Sequence, residues 1–176
     1  FMLREVGRLE ETEAHLRQAI KLKPDYEEAK HLLSALTGKI TNTAPRVYVE
    51  KLFNNYAINF EHSLVNKLEY KTPNLITELI VAKNSNIQLG SVLDLGCGTG
   101  LIGDEIKKYC SNLEGIDLSK SMLEKASAKN IYDKLEHKDI VEYLSTENLD
   151  FNYFISTDVF IYVGELSKIF QLIKSR

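Results

Sequence analysis

The run Val92-Leu93-Asp94-Leu95-Gly96-Cys97-Gly98-Thr99-Gly100 constrains the fold more than any other stretch, because it ends an apolar segment in a turn of three alternate glycines. Val92, Leu93 and Leu95 have the character of a short buried strand, and the carboxylate of Asp94 inside it is costly unless something pairs with it. A cationic ligand would do so. Glycine at 96, 98 and 100 lets the backbone bend sharply and lets a ligand approach without meeting a Cβ. Residues 101–109 then read as a helix whose first N–H groups face the same spot.

From Ser91 onward strands and helices alternate, the pattern of a parallel α/β sheet with right-handed crossovers. Strands are predicted near 91–95, 112–117, 134–138 and 151–156, with helices near 100–109, 119–128 and 164–174. Ligands of such sheets bind beyond the carboxyl ends of the strands, where Asp94, Asp117, Asp139 and Asp158 all fall. Two ligand classes fit the glycines. Gly98-Thr99-Gly100-Leu101-Ile102-Gly103 satisfies the dinucleotide pattern, with Asp117 near the distance of a ribose-binding acid, which would make a nicotinamide oxidoreductase. Asp94, two residues before the first glycine, favours the ammonium end of a methionine moiety and would repel a pyrophosphate.

The same residues resemble motif I of the class I S-adenosylmethionine-dependent methyltransferases, Asp/Glu-x-Gly-x-Gly-x-Gly, and match it completely. The resemblance implies a Rossmann-like sheet, S-adenosylmethionine as cofactor, and a cofactor-binding turn comprising Asp94, Gly96, Cys97, Gly98, Thr99 and Gly100. Asp117 ends the second strand and can accept hydrogen bonds from both ribose hydroxyls, while Leu118 and Met122 can pack on the adenine. Asp139 stands where family members take the adenine amino group, and the backbone N–H of Ile140 would reach a ring nitrogen. Both aspartates have a plainer alternative as helix caps, Asp117 near Ser119 and Asp139 at Val141.

The segment Ser156 to Leu166, with Thr157 at its start, resembles the stretch lining the methyl-transfer pocket in methyltransferases that carry N-terminal tetratricopeptide repeats. Ala44 to Val49 and Leu52 to Ala57 resemble the same group, and Tyr56 is expected to place its ring near the sulfonium from a lid helix. The chain lacks the Asn/Asp-Pro-Pro-Tyr/Phe signature of many enzymes that methylate amide and base nitrogens. Methyl transfer from a sulfonium is an in-line displacement that can proceed without a dedicated base. No catalytic residue is assigned; Asp158, Tyr162 and His62 are candidates by position or type alone.

Before the sheet, Gly7 to Pro24 has a helical apolar face of Leu9, Leu16, Ala19 and Ile20, and Asp25 with Glu28 suggests a capping box for a helix over 27–36 closed by Gly38. This resembles one and a half tetratricopeptide repeats, with Phe1, Met2, Leu3 and Val6 as the remnant of an earlier helix; an ordinary helical hairpin is the alternative. The expected division is a repeat-like segment at 1–38, a linker at 39–44 and a methyltransferase domain at 45–176. Two further helices open at Pro45 and at the Thr72-Pro73 pair, read as N-cap and first helical residue.

Composition narrows the setting. No stretch approaches the roughly 20 apolar residues of a membrane span, and Cys97 and Cys110 have no metal-like spacing, so a cytoplasmic protein with free thiols and no metal site is expected. A net charge of −3 provides no broad positive field for nucleic acid, leaving small molecules or proteins as substrates and a protein partner for the leading helices. Four predicted strands fall short of the family's seven, which leaves three expectations: a chain truncated at its C-terminus, a partner that covers the open edge, or a degenerate half-sheet that binds cofactor poorly. A non-catalytic protein-binding module is therefore the alternative function.

Overall fold

The computed structural model describes residues 8–39, 43–83, 87–146 and 149–174, and the chain divides into two compact units, Phe1–Val49 and Glu50–Arg176. Part of the expected linker, and the Phe1, Met2, Leu3 and Val6 remnant, lie outside the described residues.

In the first unit α1 (Leu9–Leu22) packs on α2 (Glu27–Leu36), whose Ala29 is buried. Gly38, at φ +71, closes α2 as expected, and the Lys39 N–H returns to the Ser34 carbonyl at 2.8 Å. The capping box does not form. The Tyr26 N–H bonds back to the Lys23 carbonyl, so Asp25 lies inside the turn after Pro24 and offers Glu27 its backbone oxygen, leaving Tyr26 at the cap position.

The helix α3 (Arg46–Tyr56) spans the division, and the second unit continues with a π-helical turn at His62–Lys67 and α4 (Thr72–Ala82). Helix α4 starts one residue earlier than predicted: Lys71 is its N-cap and Thr72 its first residue. Then come β1 (Gly90–Leu95), α5 (Leu101–Ile106), β2 (Cys110–Asp117), α6 (Lys120–Ala128), β3 (Lys134–His137), α7 (Ile140–Leu144), β4 (Tyr153–Ile155) and α8 (Ser167–Lys174). All pairings are parallel and the order is β3-β2-β1-β4. The chain thus steps outward from β1 through β2 to β3 and then returns to the other side of β1. The crevice at that reversal lies beyond the carboxyl end of β1, where the glycine turn begins.

Strand alternation divides the core between the two faces of the sheet. Leu93, Leu95 and Ile116 pack with Ile140, Leu144 and Ile169, while Val92 and Leu113 pack with Leu89, Ile102 and Ile106. Burying each such side chain contributes about 2 kcal/mol. Covering both faces is what lets β1 carry apolar residues on each, Val92 on one and Leu93 and Leu95 on the other, and Asp94 is the polar exception on the Val92 face. Among the described residues no helix is long and apolar enough to cross a membrane.

Candidate cofactor site

The glycine turn is anchored from beneath. The N–H groups of Gly96 and Cys97 both donate to the Ile116 carbonyl at 2.9 Å, and the Gly100 N–H donates to the Cys97 carbonyl at 2.8 Å. Gly96, Gly98 and Gly100 have φ of +73, +54 and +86, a left-handed backbone that favours glycine. Their surroundings differ. An added Cβ would lie 2.5 Å from Val159 Cγ2 at Gly96 and 3.0 Å from Tyr132 Cε2 at Gly100, but at Gly98 it would meet only Phe60 Cε1, 4.0 Å away. Gly98 is therefore where the turn leaves room for a ligand against the backbone.

Asp94 is 0% exposed and accepts a hydrogen bond at Oδ2 from the Tyr132 hydroxyl at 2.6 Å, while Oδ1 has no hydrogen-bond partner among the described residues. Burial drives its carboxyl up to about 7; the Tyr132 hydroxyl opposes that rise and the Asp117 carboxylate adds to it. Asp117, at the end of β2, accepts from the Gly98 N–H at 2.9 Å through Oδ2 and from the Ser119 N–H at 2.7 Å through Oδ1. Burial raises its carboxyl too, against those two backbone donors. The cap of α6 is Ser119, whose Oγ accepts the Met122 N–H at 3.1 Å, so Asp117 braces the turn rather than capping the helix.

Asp139 is a helix cap: its Oδ1 accepts the N–H groups of Val141 at 2.9 Å and Glu142 at 3.0 Å. We expect Asp139→Ala to cost about 1 kcal/mol in urea unfolding, the usual loss for an N-cap. Met122 and Ile140 are buried at 1% and 8% exposure, and Leu118 and Thr157 are half-buried. The Ser156 hydroxyl donates to the Leu95 carbonyl at 2.9 Å, tying the segment after β4 to the end of β1.

Of the candidate bases, Asp158 is exposed with φ +56, and His62 is exposed beside Asn66. Tyr162 stacks edge-on against Phe53, with centroids 5.1 Å apart. Phe53 and Tyr56 each pack on Phe60, Tyr56 at 5.4 Å, and Phe60 is the ring that reaches Gly98. Sequence reasoning chose Tyr56 for the sulfonium contact and passed over Phe60. It also missed Tyr132 and Asn54, whose Oδ1 accepts the Ser119 hydroxyl at 2.7 Å and the Ser121 N–H at 3.2 Å.

These features suit the S-adenosylmethionine that motif I implies: an unpartnered buried carboxylate oxygen for a cationic amine and an open glycine for close approach. The parallel order, the reversal at β1 and the glycine turn define a Rossmann-like ligand-binding unit. Residues 92–175, a little under half of the chain, match the Methyltransf_25 family model, described as a methyltransferase domain.

Solved structures agree in fold. Magnesium protoporphyrin IX methyltransferase from Synechocystis PCC 6803 with bound SAH is 18% identical at a TM-score of 0.60, over 74% of this chain and 67% of that one. An S-adenosylmethionine-dependent methyltransferase from Clostridium acetobutylicum ATCC 824 is 22% identical at 0.55, over 69% and 53%. The Haloferax volcanii complex of the Trm112 methyltransferase activator with its methyltransferase gives 18% identity at 0.55, over 69% and 53%. No curated protein matches the chain.

Proposed function

We propose that this chain binds S-adenosylmethionine in the crevice beyond β1 and β2 and transfers its methyl group to a small-molecule or protein acceptor. The carrying observation is Asp94 Oδ1, fully buried and without a hydrogen-bond partner among the described residues, in the strand that feeds the glycine turn. When bound, S-adenosylmethionine supplies a methyl group already activated by a sulfonium.

The protein's contribution is placement and exclusion of water. Asp94 holds the amine of the methionine end. Asp117 keeps the turn in shape through Gly98 and accepts the ribose hydroxyls on its remaining lone pairs, with Leu118 beside the base. Cys97 and Thr99 complete the buried turn, and Phe60 with Tyr56 behind it forms an aromatic wall facing Gly98. Asp139 and Ile140 bound the adenine end.

In this reading 45–176 is the methyltransferase domain, 39–44 the linker and 1–38 a tetratricopeptide-like arm that recruits a protein, supported by the packed α1 and α2 pair with small, buried Ala29. Partnering also has a precedent in fold: the Haloferax volcanii neighbour is complexed with an activator protein. Calorimetric titration with S-adenosylhomocysteine, with NAD alongside, tests the proposal. We expect micromolar binding of the first and none of the second; no binding at millimolar S-adenosylhomocysteine, or preference for NAD, overturns it.

A further inference from the structure

Three glycines outside the turn's open point share one neighbour. An added Cβ would lie 3.0 Å from Tyr132 Cε2 at Gly100, 2.5 Å from Tyr132 Oη at Gly103 and 2.9 Å from Tyr132 Cε1 at Gly115. Gly103 sits inside α5 and Gly115 inside β2, positions where glycine costs roughly 0.5–1 kcal/mol relative to alanine. Neither has the positive φ that would otherwise call for glycine. What they supply is space for a ring from the loop between α6 and β3.

That ring delivers its hydroxyl to Asp94 Oδ2 at 2.6 Å. Burial, with the Asp94 carboxylate next, holds the Tyr132 hydroxyl well above its ordinary range, so it remains a donor. One carboxylate oxygen is thereby fixed and the other, Oδ1, is left without a partner among the described residues. A rotating carboxylate could satisfy either oxygen on Tyr132; a fixed one presents a defined lone pair to a ligand.

We propose that Tyr132 is a positioning residue for cofactor recognition: seated by Gly100, Gly103 and Gly115, it orients Asp94 so that the carboxylate engages the amino acid end of the cofactor. This rests on the S-adenosylmethionine reading above. Tyr132 acts through Asp94, so its influence is confined to ligands that carry the amine.

Calorimetry with two probes tests it, S-adenosylhomocysteine and 5′-methylthioadenosine, the latter lacking the amino acid portion. Tyr132→Phe is expected to bind S-adenosylhomocysteine about tenfold more weakly, as for a lost hydrogen bond to a charged group, and methylthioadenosine as the wild type does. Equal weakening of both, or no change in either, overturns the proposal. If the wild type binds neither probe, the cofactor reading itself has failed. The wild type also carries an independent test should Tyr132→Phe not fold. With 13C-labelled tyrosine, the Tyr132 Cζ resonance is expected to shift on adding S-adenosylhomocysteine and to stay near its free position with methylthioadenosine; the same response to both overturns the assignment.

Discussion

Alanine at Gly98 is expected to leave the protein folded and to weaken S-adenosylhomocysteine binding at least tenfold, whereas alanine at Gly96 is expected to cost stability first. The two share a left-handed backbone, φ +54 and +73, which charges an alanine about 1–2 kcal/mol. At Gly98 that is the whole cost, since an added Cβ has no neighbour closer than 4.0 Å. The methyl would instead project into the space the ligand needs. At Gly96 it would lie 2.5 and 2.7 Å from the two Cγ atoms of Val159, adding an overpacking cost of about 1–3 kcal/mol. Urea unfolding should therefore show a loss of about 2–5 kcal/mol for Gly96→Ala, with the steric part restored by Val159→Ala. Wild-type affinity in Gly98→Ala would place the ligand elsewhere.

The contrast between those glycines was not visible in the motif, which treats them alike. What the motif did carry was the turn and its place in the sheet. Strand β1 was legible because a parallel strand covered on both faces carries apolar residues on each, Val92, Leu93 and Leu95 here, and β2 because Leu113 and Ile116 lead into a terminal aspartate. The polar start of β2 at Cys110-Ser111 has no such signal and falls outside the strand predicted over 112–117, though pairing with β1 begins at Cys110. The predicted helix over 100–109 ends as an α-helix at Ile106 and tightens to a 3₁₀ turn over Lys107–Tyr109, because the chain must straighten for β2.

Side chains that act across long separations were hidden for a geometric reason. Tyr132 matters through Asp94, Gly103 and Gly115, which lie on three different elements, and no local period links them. Phe60 was obscured because α3 ends at Tyr56, so the helical period no longer sets where the next aromatic points. Asp139 shows the reverse. Its capping role was readable from Asp before Val141, since an N-cap depends only on residues two and three positions away.

Acid should tighten the fold and loosen the ligand through one side chain, Asp94. Its carboxyl titrates at about 7 in the folded chain against an ordinary 3.8, burial being the main cause. Below about pH 3.8 both states hold the proton; between 3.8 and 7 only the folded state does, so stability from this group is full at acid pH and is lost as pH rises toward 7. Three units at about 1.4 kcal/mol each make a swing of roughly 4 kcal/mol. Asp117, from β2, is raised in the same direction by burial and reinforces it, while Cys97 in the turn and Tyr132 stay protonated because burial raises both. The stability difference between wild type and Asp94→Asn, followed by urea unfolding from pH 4 to 8, should fall with pH and level off near 7. Binding should run the other way. A cationic amine needs the ionised carboxylate, so affinity for S-adenosylhomocysteine should rise about tenfold per unit up to pH 7, with close to one proton released per ligand at pH 6. Calorimetry in buffers of different ionisation enthalpy counts that proton. A pH-independent affinity with no proton release would separate Asp94 from the amine.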